Sequence, residues 1–287
     1  MGNITAVGKG VRIAFQRWMG SKRSVLILFI TVLFGIFMYL PLVEGARLFH
    51  ETVPPVGFVF FFSFFTMQVL YGGVCTLLYS DVLTMDEYTL WSIQRIGKRN
   101  YMLSCCLYVL VMAGLYTLLQ TAVSFLVLLP VRGPLSDWGK ILRTMSSDPM
   151  VILNRISHTS NIGVSSRIIR NLTPVSALGF TMLLVWLVTA FMGMLQLFFT
   201  VWFGRMSGIA ASGFCIGMSV FALFLGRLSL GGWLLYLSPL SWTNIDLLEW
   251  SGTGQLPSPV YAVLFLSFGL LLMGVLGVIR FAGKDTV

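Results

Sequence analysis

Six long stretches without any Asp, Glu, Lys or Arg constrain this chain more than any other feature. They lie at residues 25–43, 56–78, 102–129, 176–203, 206–225 and 260–279. A helix needs about 20 residues, at about 1.5 Å per residue, to cross the hydrocarbon core of a bilayer. Of the 287 residues, 57% are hydrophobic, which is more than an ordinary soluble domain carries. The sequence therefore predicts an all-α integral membrane protein with six transmembrane helices.

The apolar stretches favour helices over the strands of a membrane barrel. Barrel strands alternate between apolar and polar residues over about 10 positions, whereas runs such as "MLLVWLVTAFMGMLQLFF" are apolar on every face. The first run has no small-residue cleavage site and is followed by five more. We expect it to be a retained span and not a signal peptide.

The net charge of +9 is better explained by the distribution of Lys and Arg between the two sides of the membrane than by binding to a nucleic acid. With a cytoplasmic N-terminus, the two shorter outer loops hold only Arg47 and Arg227, and the outer segment 130–175 adds six basic residues. The inner segments then hold eleven: Lys9, Arg12, Arg17, Lys22, Arg23, Arg95, Lys98, Arg99, Arg205, Arg280 and Lys284. The positive-inside bias thus places both termini in the cytoplasm of what we take to be a bacterial cell membrane.

Residues 3–20 precede the first span and predict an interfacial helix. Ile4, Val7, Val11, Phe15 and Trp18 recur every three or four residues and form one apolar stripe, with basic residues on the other face. We expect the stripe to lie at the acyl boundary of the membrane and the basic face to reach lipid phosphates. A simple basic leader that only sets topology is the alternative.

Residues 80–99 predict a short cytoplasmic helix between the second and third spans. Thr84 and Glu87 have the spacing of a capping box, Asp86 adds a second acid to the first turn, and Gly97 offers a left-handed cap at the end. Its polar residues are mixed with large apolar ones, namely Tyr88, Leu90, Trp91 and Ile93. Such a surface suits docking onto another protein; the alternative is that the aromatic residues are ordinary interfacial anchors.

The outer segment 130–175 has a net charge of +4 and two helix starts. In the second, Asp148 is the expected cap and Pro149 the expected first helical residue. We expect a structured outer cap. Its basic residues suit contact with lipid headgroups or with an anionic substrate.

Residues 226–257 are too apolar for a free loop, yet they are broken by Pro239 and contain Asp246 and Glu249. They predict two short helices that form a re-entrant element in the outer leaflet. Irregular backbone at membrane depth must be buried in protein or line an aqueous cavity, so this element is expected to border a path or gate. The residues expected to mark its interfacial depth are Trp233, Tyr236, Trp242 and Trp250, and those expected at the gate are Tyr236, Pro239 and Trp242.

The residues do not predict an enzyme. The chain contains no HExxH, GxSxG or GxxxxGK[ST] sequence and no Cys or His cluster with metal-ligand spacing, so we expect no cofactor or metal in this chain. The absence of charge within the spans argues against an ion-driven carrier. The spans do contain Gln68, Gln120 and Gln196, which would either contact a substrate or bond neighbouring helices. The small-residue pair Gly213 and Gly217 would permit close helix contact.

Taken together, these parts resemble the ABC-2 type permeases, the membrane subunits of ABC exporters. The resemblance lies in the six-span order, the helix "ITAVGKGVRIAFQRW", the segment "LYSDVLTMDEYTLWSIQRIGKRNYMLS" and the broken element "LYLSPLSWTNI" before the last span. The chain departs from the family in its outer segment of about 45 residues, which the family often reduces to a turn, and in "IGKR" where a proline is common.

The resemblance implies a function for the segments already described. Residues 80–99 would be a coupling helix seated in an ATPase subunit, with Asp86, Glu87, Tyr88, Leu90 and Trp91 at the contact. ATP and Mg would be bound by that partner, and a second permease copy or a paralogue would complete twelve spans. The cargo would be an amphipathic peptide, a lipid or a drug-like molecule. A nonenzymatic membrane scaffold or immunity protein remains the alternative.

Overall fold

The computed structural model describes residues 4–83, 87–153, 155, 162–225, 232–250, 252, 254 and 256–283, with only the backbone of residues 87, 88, 153 and 225. These residues are helical and contain no β-strand. Five helices are long and apolar enough to cross a membrane, which is compatible with a multi-pass membrane protein. They are α2 (Lys22–Leu48), α5 (Lys98–Leu128), α9 (Pro174–Phe203), α10 (Arg205–Leu225) and α11 (Pro259–Ala282).

Helix α9 is the centre of the bundle. It contacts α5, α10 and α11, and two thirds of its most apolar window is buried. The pairs Arg205–Asp81 and Arg280–Trp202 place the start of α10 and the ends of α9 and α11 at one end of the bundle. We call this the basal end, and we call the opposite end, where α2 and α5 finish, the distal end.

The second predicted span, residues 56–78, is not one continuous helix. Gly57–Ser63 forms a 3₁₀ helix, and α3 (Phe65–Tyr79) leaves it at an angle of 97°. The 15 residues of α3 rise about 22 Å, which is short of a hydrocarbon core of about 30 Å. Candidate spans among the described residues therefore number five, or six if the bent pair counts as one.

The 3₁₀ segment is apolar because it is buried by protein. The side chains of Phe60 and Phe62 are almost fully enclosed, and the Phe60 ring centroid lies 5.7 Å from that of Trp138. A Cβ at Gly57 would lie 2.9 Å from Cδ1 of Tyr39, so the glycine permits this close approach. Burial by protein and burial by lipid select the same apolar residues, so the sequence pattern does not reveal the bend.

The helix predicted at residues 3–20 is present as α1 (Ile4–Met19), but its surroundings differ from the expectation. Four residues of its apolar stripe are half-buried, and α1 packs against α5. A Cβ at Gly10 would lie 2.6 Å from the Cβ of Ser104, whose hydroxyl donates to the Val7 carbonyl at 3.1 Å. Most of the stripe therefore covers another helix instead of lying open to acyl chains.

The outer segment folds into three short helices at the distal end: α6 (Gly139–Ser147), α7 (Met150–Leu153) and α8 (Ser166–Asn171). The carboxylate of Asp148 accepts a hydrogen bond from the Met150 N–H at 3.2 Å, as expected of the cap. Trp138 is buried, and its indole N–H donates to the Leu172 carbonyl at 2.9 Å. The described part of this segment is thus packed against itself and against the bundle.

The segment before α11 contains three 3₁₀ helices within its described part, where two short helices were expected. They are Gly232–Leu237, Pro239–Thr243 and Ile245–Leu247, and they pack against α3, α9, α10 and α11. Trp242 is wholly buried, and its indole N–H donates to the Leu235 carbonyl at 2.8 Å. Its expected interfacial depth stays a prediction.

Candidate functional site

The segment expected to couple to a partner forms α4 (Glu87–Ile96) at the basal end, between α3 and α5. Thr89 and Ile93 are buried, and the Thr89 hydroxyl accepts a hydrogen bond from Nη1 of Arg17 on α1 at 3.4 Å. Leu90 and Trp91 point the other way and are 42% and 67% exposed. One face of α4 is therefore fixed to the protein, while the opposite face presents two large apolar side chains.

A single residue joins α4 to α5. Gly97 has φ +86°, a value that glycine adopts at little cost, and its N–H donates to the Ile93 carbonyl at 2.8 Å. Its ψ of 146° differs from the left-handed cap that the sequence predicted, because α5 begins at the very next residue and the chain must turn there. The 31-residue helix α5 therefore starts directly at the end of α4.

The remaining expected contact residues stay predictions. Asp86 and Thr84 lie outside the described residues, and only the backbone of Glu87 and Tyr88 is described, within the first turn of α4. Leu90 and Trp91 are therefore the two members of the predicted set whose side chains the structure places.

A cavity of about 100 Å³ lies between α4 and the bundle. Side chains from α1, α4 and α5 line it, including Arg17, Thr89, Ser92 and Tyr101. Leu77, Leu78 and Asp81 at the end of α3 also line the cavity, so it lies where α1, α3, α4 and α5 meet.

Sequence reasoning missed the role of Asp81 at the end of α3. Its two carboxylate oxygens accept from Arg23 at 2.5 Å and from Arg205 at 3.1 Å, which ties the starts of α2 and α10 to the end of α3. All three side chains are about half exposed, so each pair contributes only about 0–1 kcal/mol. The sequence could have indicated these ion pairs, because Asp81 is an acidic residue near a predicted span boundary where the other inner segments are basic.

The three span glutamines are buried but do not form one path. Gln68 donates to the Phe62 carbonyl at 2.9 Å, and Gln120 donates to the Tyr116 hydroxyl at 3.2 Å. Gln196 lies where α9 meets α10: a Cβ at Gly208 would lie 2.5 Å from its carbonyl oxygen. In the described residues the Oε1 atom of each glutamine accepts no hydrogen bond. Gln68 is thus bonded to the 3₁₀ segment before α3, Gln120 is bonded within α5, and Gln196 lies apart from both at the contact of α9 with α10.

Two tyrosines that sequence reasoning did not single out connect four helices. The rings of Tyr71 on α3 and Tyr116 on α5 are stacked with centroids 6.1 Å apart. Tyr71 bonds to Thr189 on α9, and the Tyr116 hydroxyl lies 3.2 Å from Oγ1 of Thr31 on α2. A buried tyrosine hydroxyl usually has a hydrogen-bond partner. Tyrosines within an apolar run could therefore have indicated hydrogen bonds between helices.

The expected gate residues come together, but in a closed cluster. The Tyr236 and Trp242 rings both contact Tyr261 of α11, with centroids 5.3 and 5.8 Å apart. Pro239 is buried beside them, and the hydroxyls of Ser219 and Ser238 lie 2.7 Å apart, which attaches the segment to α10. The geometry is that of a packed lid on the distal side of the bundle.

Comparison of the chain with protein-family models, curated proteins and solved structures found no match. The resemblance to ABC-2 permeases therefore depends on the arrangement of the segments in this chain alone.

Proposed function

We propose that this chain is the membrane subunit of an ATP-driven exporter of the ABC-2 permease type. Two copies, or this chain and a paralogue, would form the pathway, and separate ATPase subunits would bind ATP and Mg. The basal end would face the cytoplasm, because the predicted inner segments carry eleven of the 19 Lys and Arg residues. Export is the direction that fits the family resemblance.

The observation that carries this proposal is the two-faced burial of α4. A helix that only turned the chain would have no need of an indole that is 67% exposed next to a leucine that is 42% exposed. Aromatic side chains of this kind supply most of the binding energy at protein interfaces. The opposite face, with Thr89 and Ile93, fixes the helix to the bundle, so a partner that pushed on Trp91 would move the bundle as well.

The basal contacts provide the route for that movement. α4 is joined to α5 in the chain by Gly97 and packs against α5, and the Arg17–Thr89 hydrogen bond connects it to α1. α1 is in turn held close to α5 at Gly10. ATP-driven closure of a motor can change the permease only by binding its two states differently, through rigid bodies such as these three helices.

The connection between α9 and α10 at the basal end offers little surface. α9 ends at Phe203 and α10 begins at Arg205, so Gly204 is the whole connection. Its φ of +96° lets the chain reverse within one residue. This favours α4, and not the α9–α10 connection, as the docking element.

The test is co-purification with an ATPase encoded next to this chain, followed by its ATPase activity. We expect Trp91→Ala to reduce complex formation at least about tenfold, because interface anchors contribute about 2 kcal/mol or more. Reversal of both Asp86 and Glu87 to lysine is expected to impair assembly or coupling while insertion persists. The matched control is Trp233→Ala, at a tryptophan that is 56% exposed beyond the end of α10.

The outcomes separate a transporter from a scaffold. Stimulation of the ATPase by the wild-type chain, lost with Trp91→Ala and kept with Trp233→Ala, would support the proposal. Unchanged association and activity in both the Trp91 and the Asp86/Glu87 variants would overturn it and favour a passive scaffold or immunity protein.

A further inference from the structure

An open groove of about 720 Å³ runs along the outer side of α10. Residues of α9, α10 and α11 line it, and nearly all of them are apolar. Its volume falls within the range of about 300–1,000 Å³ that is common for ligand sites. Phe214, which also lines it, is 72% exposed, so the groove opens to the outside of the bundle and not towards its core.

The length of the groove matches one leaflet of a bilayer. On α10 its lining extends from Ser207 to Met218, which is a rise of about 16 Å at 1.5 Å per residue. Half of a hydrocarbon core of about 30 Å is about 15 Å. Leu237 and Pro239 of the 3₁₀ segment also line the groove and close it near the middle of α10. The lining thus begins near the basal end of α10 and ends beyond its middle, at Met218.

Positive charge lies at the basal mouth of the groove. Arg205 is the first residue of α10, two positions before Ser207. Arg280 in the last turn of α11 has its Cζ 5.2 Å from the ring centroid of Trp202, the neighbour of the lining residue Phe203. Asp81 is shared between Arg23 and Arg205, so among these described side chains the positive charges outnumber the negative ones. If α10 spans the membrane, this end of the helix would lie at the depth of the lipid headgroups.

We propose that this groove binds one acyl chain of an anionic phospholipid of the basal leaflet, with the phosphate held near Arg205 and Arg280. Guanidinium groups pair well with phosphate oxygens, and the apolar lining replaces the neighbouring acyl chains. If the bound lipid is also cargo, lipid-like anionic amphiphiles would enter the exporter laterally at this groove. That part of the proposal rests on the function proposed above. The binding itself is independent of any ATPase.

The test uses the full chain in nanodiscs without a partner, with trace phosphatidylglycerol or phosphatidylcholine that carries a diazirine in the middle of one acyl chain. Sites of photolabelling are mapped by mass spectrometry. We expect labelled peptides from α9 and α10 at the groove, and a preference for phosphatidylglycerol. Arg280→Gln should lower that preference about fivefold, since each basic residue near anionic lipid contributes about 1 kcal/mol.

A pair of variants on the same helix provides the control. Ala210 lines the groove and is exposed, so Ala210→Phe fills the groove with a ring and should reduce groove labelling at least about fivefold. Gly213 is exposed, does not line the groove, and has nothing within 4 Å of its Cβ position, so Gly213→Phe adds the same ring elsewhere. Labelling should persist in that variant. Circular dichroism and melting of both variants confirm that they are folded.

Three results would overturn the proposal. The first is equal labelling of Ala210→Phe and Gly213→Phe, and the second is equal labelling by the two lipids. The third is crosslinking between two copies through Phe214→Cys with no lipid label in the groove, which would make the groove a subunit interface. Because no ATPase is present, each of these results leaves the coupling role of α4 to its own test.

Discussion

At the distal end, residues 232–247 form three separate 3₁₀ helices, yet they enclose Trp242 completely. At the basal end, α4 is a regular α-helix, yet its Trp91 is 67% exposed. The difference follows from where the backbone polar groups find partners. A regular helix satisfies its own N–H and C=O groups, so its side chains are free to stay exposed, whereas irregular backbone at membrane depth needs surrounding protein. A closed distal end and an open basal end are what a chain driven from one side would need.

The largest expected effect comes from breaking the distal packing. Trp242→Ala removes a buried ring and leaves the Leu235 carbonyl without its donor. We expect a loss of about 3–5 kcal/mol in the free energy of unfolding. The measurement is unfolding of the purified protein in mixed micelles with increasing denaturing detergent.

The matched substitution is Trp233→Ala, because Trp233 belongs to the same segment but is 56% exposed. We expect it to change the free energy of unfolding by less than about 1 kcal/mol. Equal losses in the two variants would contradict the view that the distal end is held by its buried aromatic cluster.

A smaller effect on the free energy of unfolding is expected where α1 meets α5. The control substitution on α1 should change this free energy in the opposite direction. Gly10→Ala places a methyl group against Ser104 and should destabilise the protein by about 1–3 kcal/mol. Gly8→Ala lies on the same helix with nothing within 4 Å of its Cβ position, and its better helix propensity should stabilise by up to about 1 kcal/mol. Both are measured in the same unfolding assay, and stabilisation by Gly10→Ala would show that α1 does not pack closely on α5.

The long helices could be predicted from sequence because length and apolarity suffice to define them. α9 begins two residues before its predicted start at residue 176 and ends at its predicted end, Phe203. α2 continues to Leu48, five residues beyond its predicted end, because Glu44 and Arg47 lie in its last turns without ending it. The predicted span at residues 25–43 ends just before the nearest charged residue. A helix can continue past such a residue, so this criterion does not locate the end of the helix.

The features that sequence reasoning missed are those that depend on tertiary contacts. Phe62 and Trp242 are apolar for the same reason as any lipid-facing residue, and only the fold shows that protein surrounds them. The Tyr71–Thr189 and Tyr116–Thr31 bonds join residues 85 or more positions apart, which no local pattern reveals. In contrast, α4 was predicted because capping, charge and a terminal glycine are local properties of the chain.

The smallest expected effect concerns the charged contacts of the basal end. Asp81→Asn weakens both arginine pairs but keeps the shape of the side chain. Because these side chains are about half exposed, we expect a loss of about 1 kcal/mol or less at low salt. That loss should shrink as salt is raised, since exposed charges are screened over about 8 Å at physiological ionic strength.

Unfolding at 20 mM and at 500 mM salt, both with uncharged detergent, measures this dependence. A loss of several kcal/mol that is insensitive to salt would mean that Asp81 is a buried anchor, and the basal end would then be as firmly held as the distal end. A small, screened loss would instead leave α2, α3 and α10 joined by contacts weak enough to rearrange when α4 is displaced. Since the two ends are joined by continuous helices, a weakly tied basal end would allow the proposed force on Trp91 to reach the bundle without first breaking the packing around Trp242.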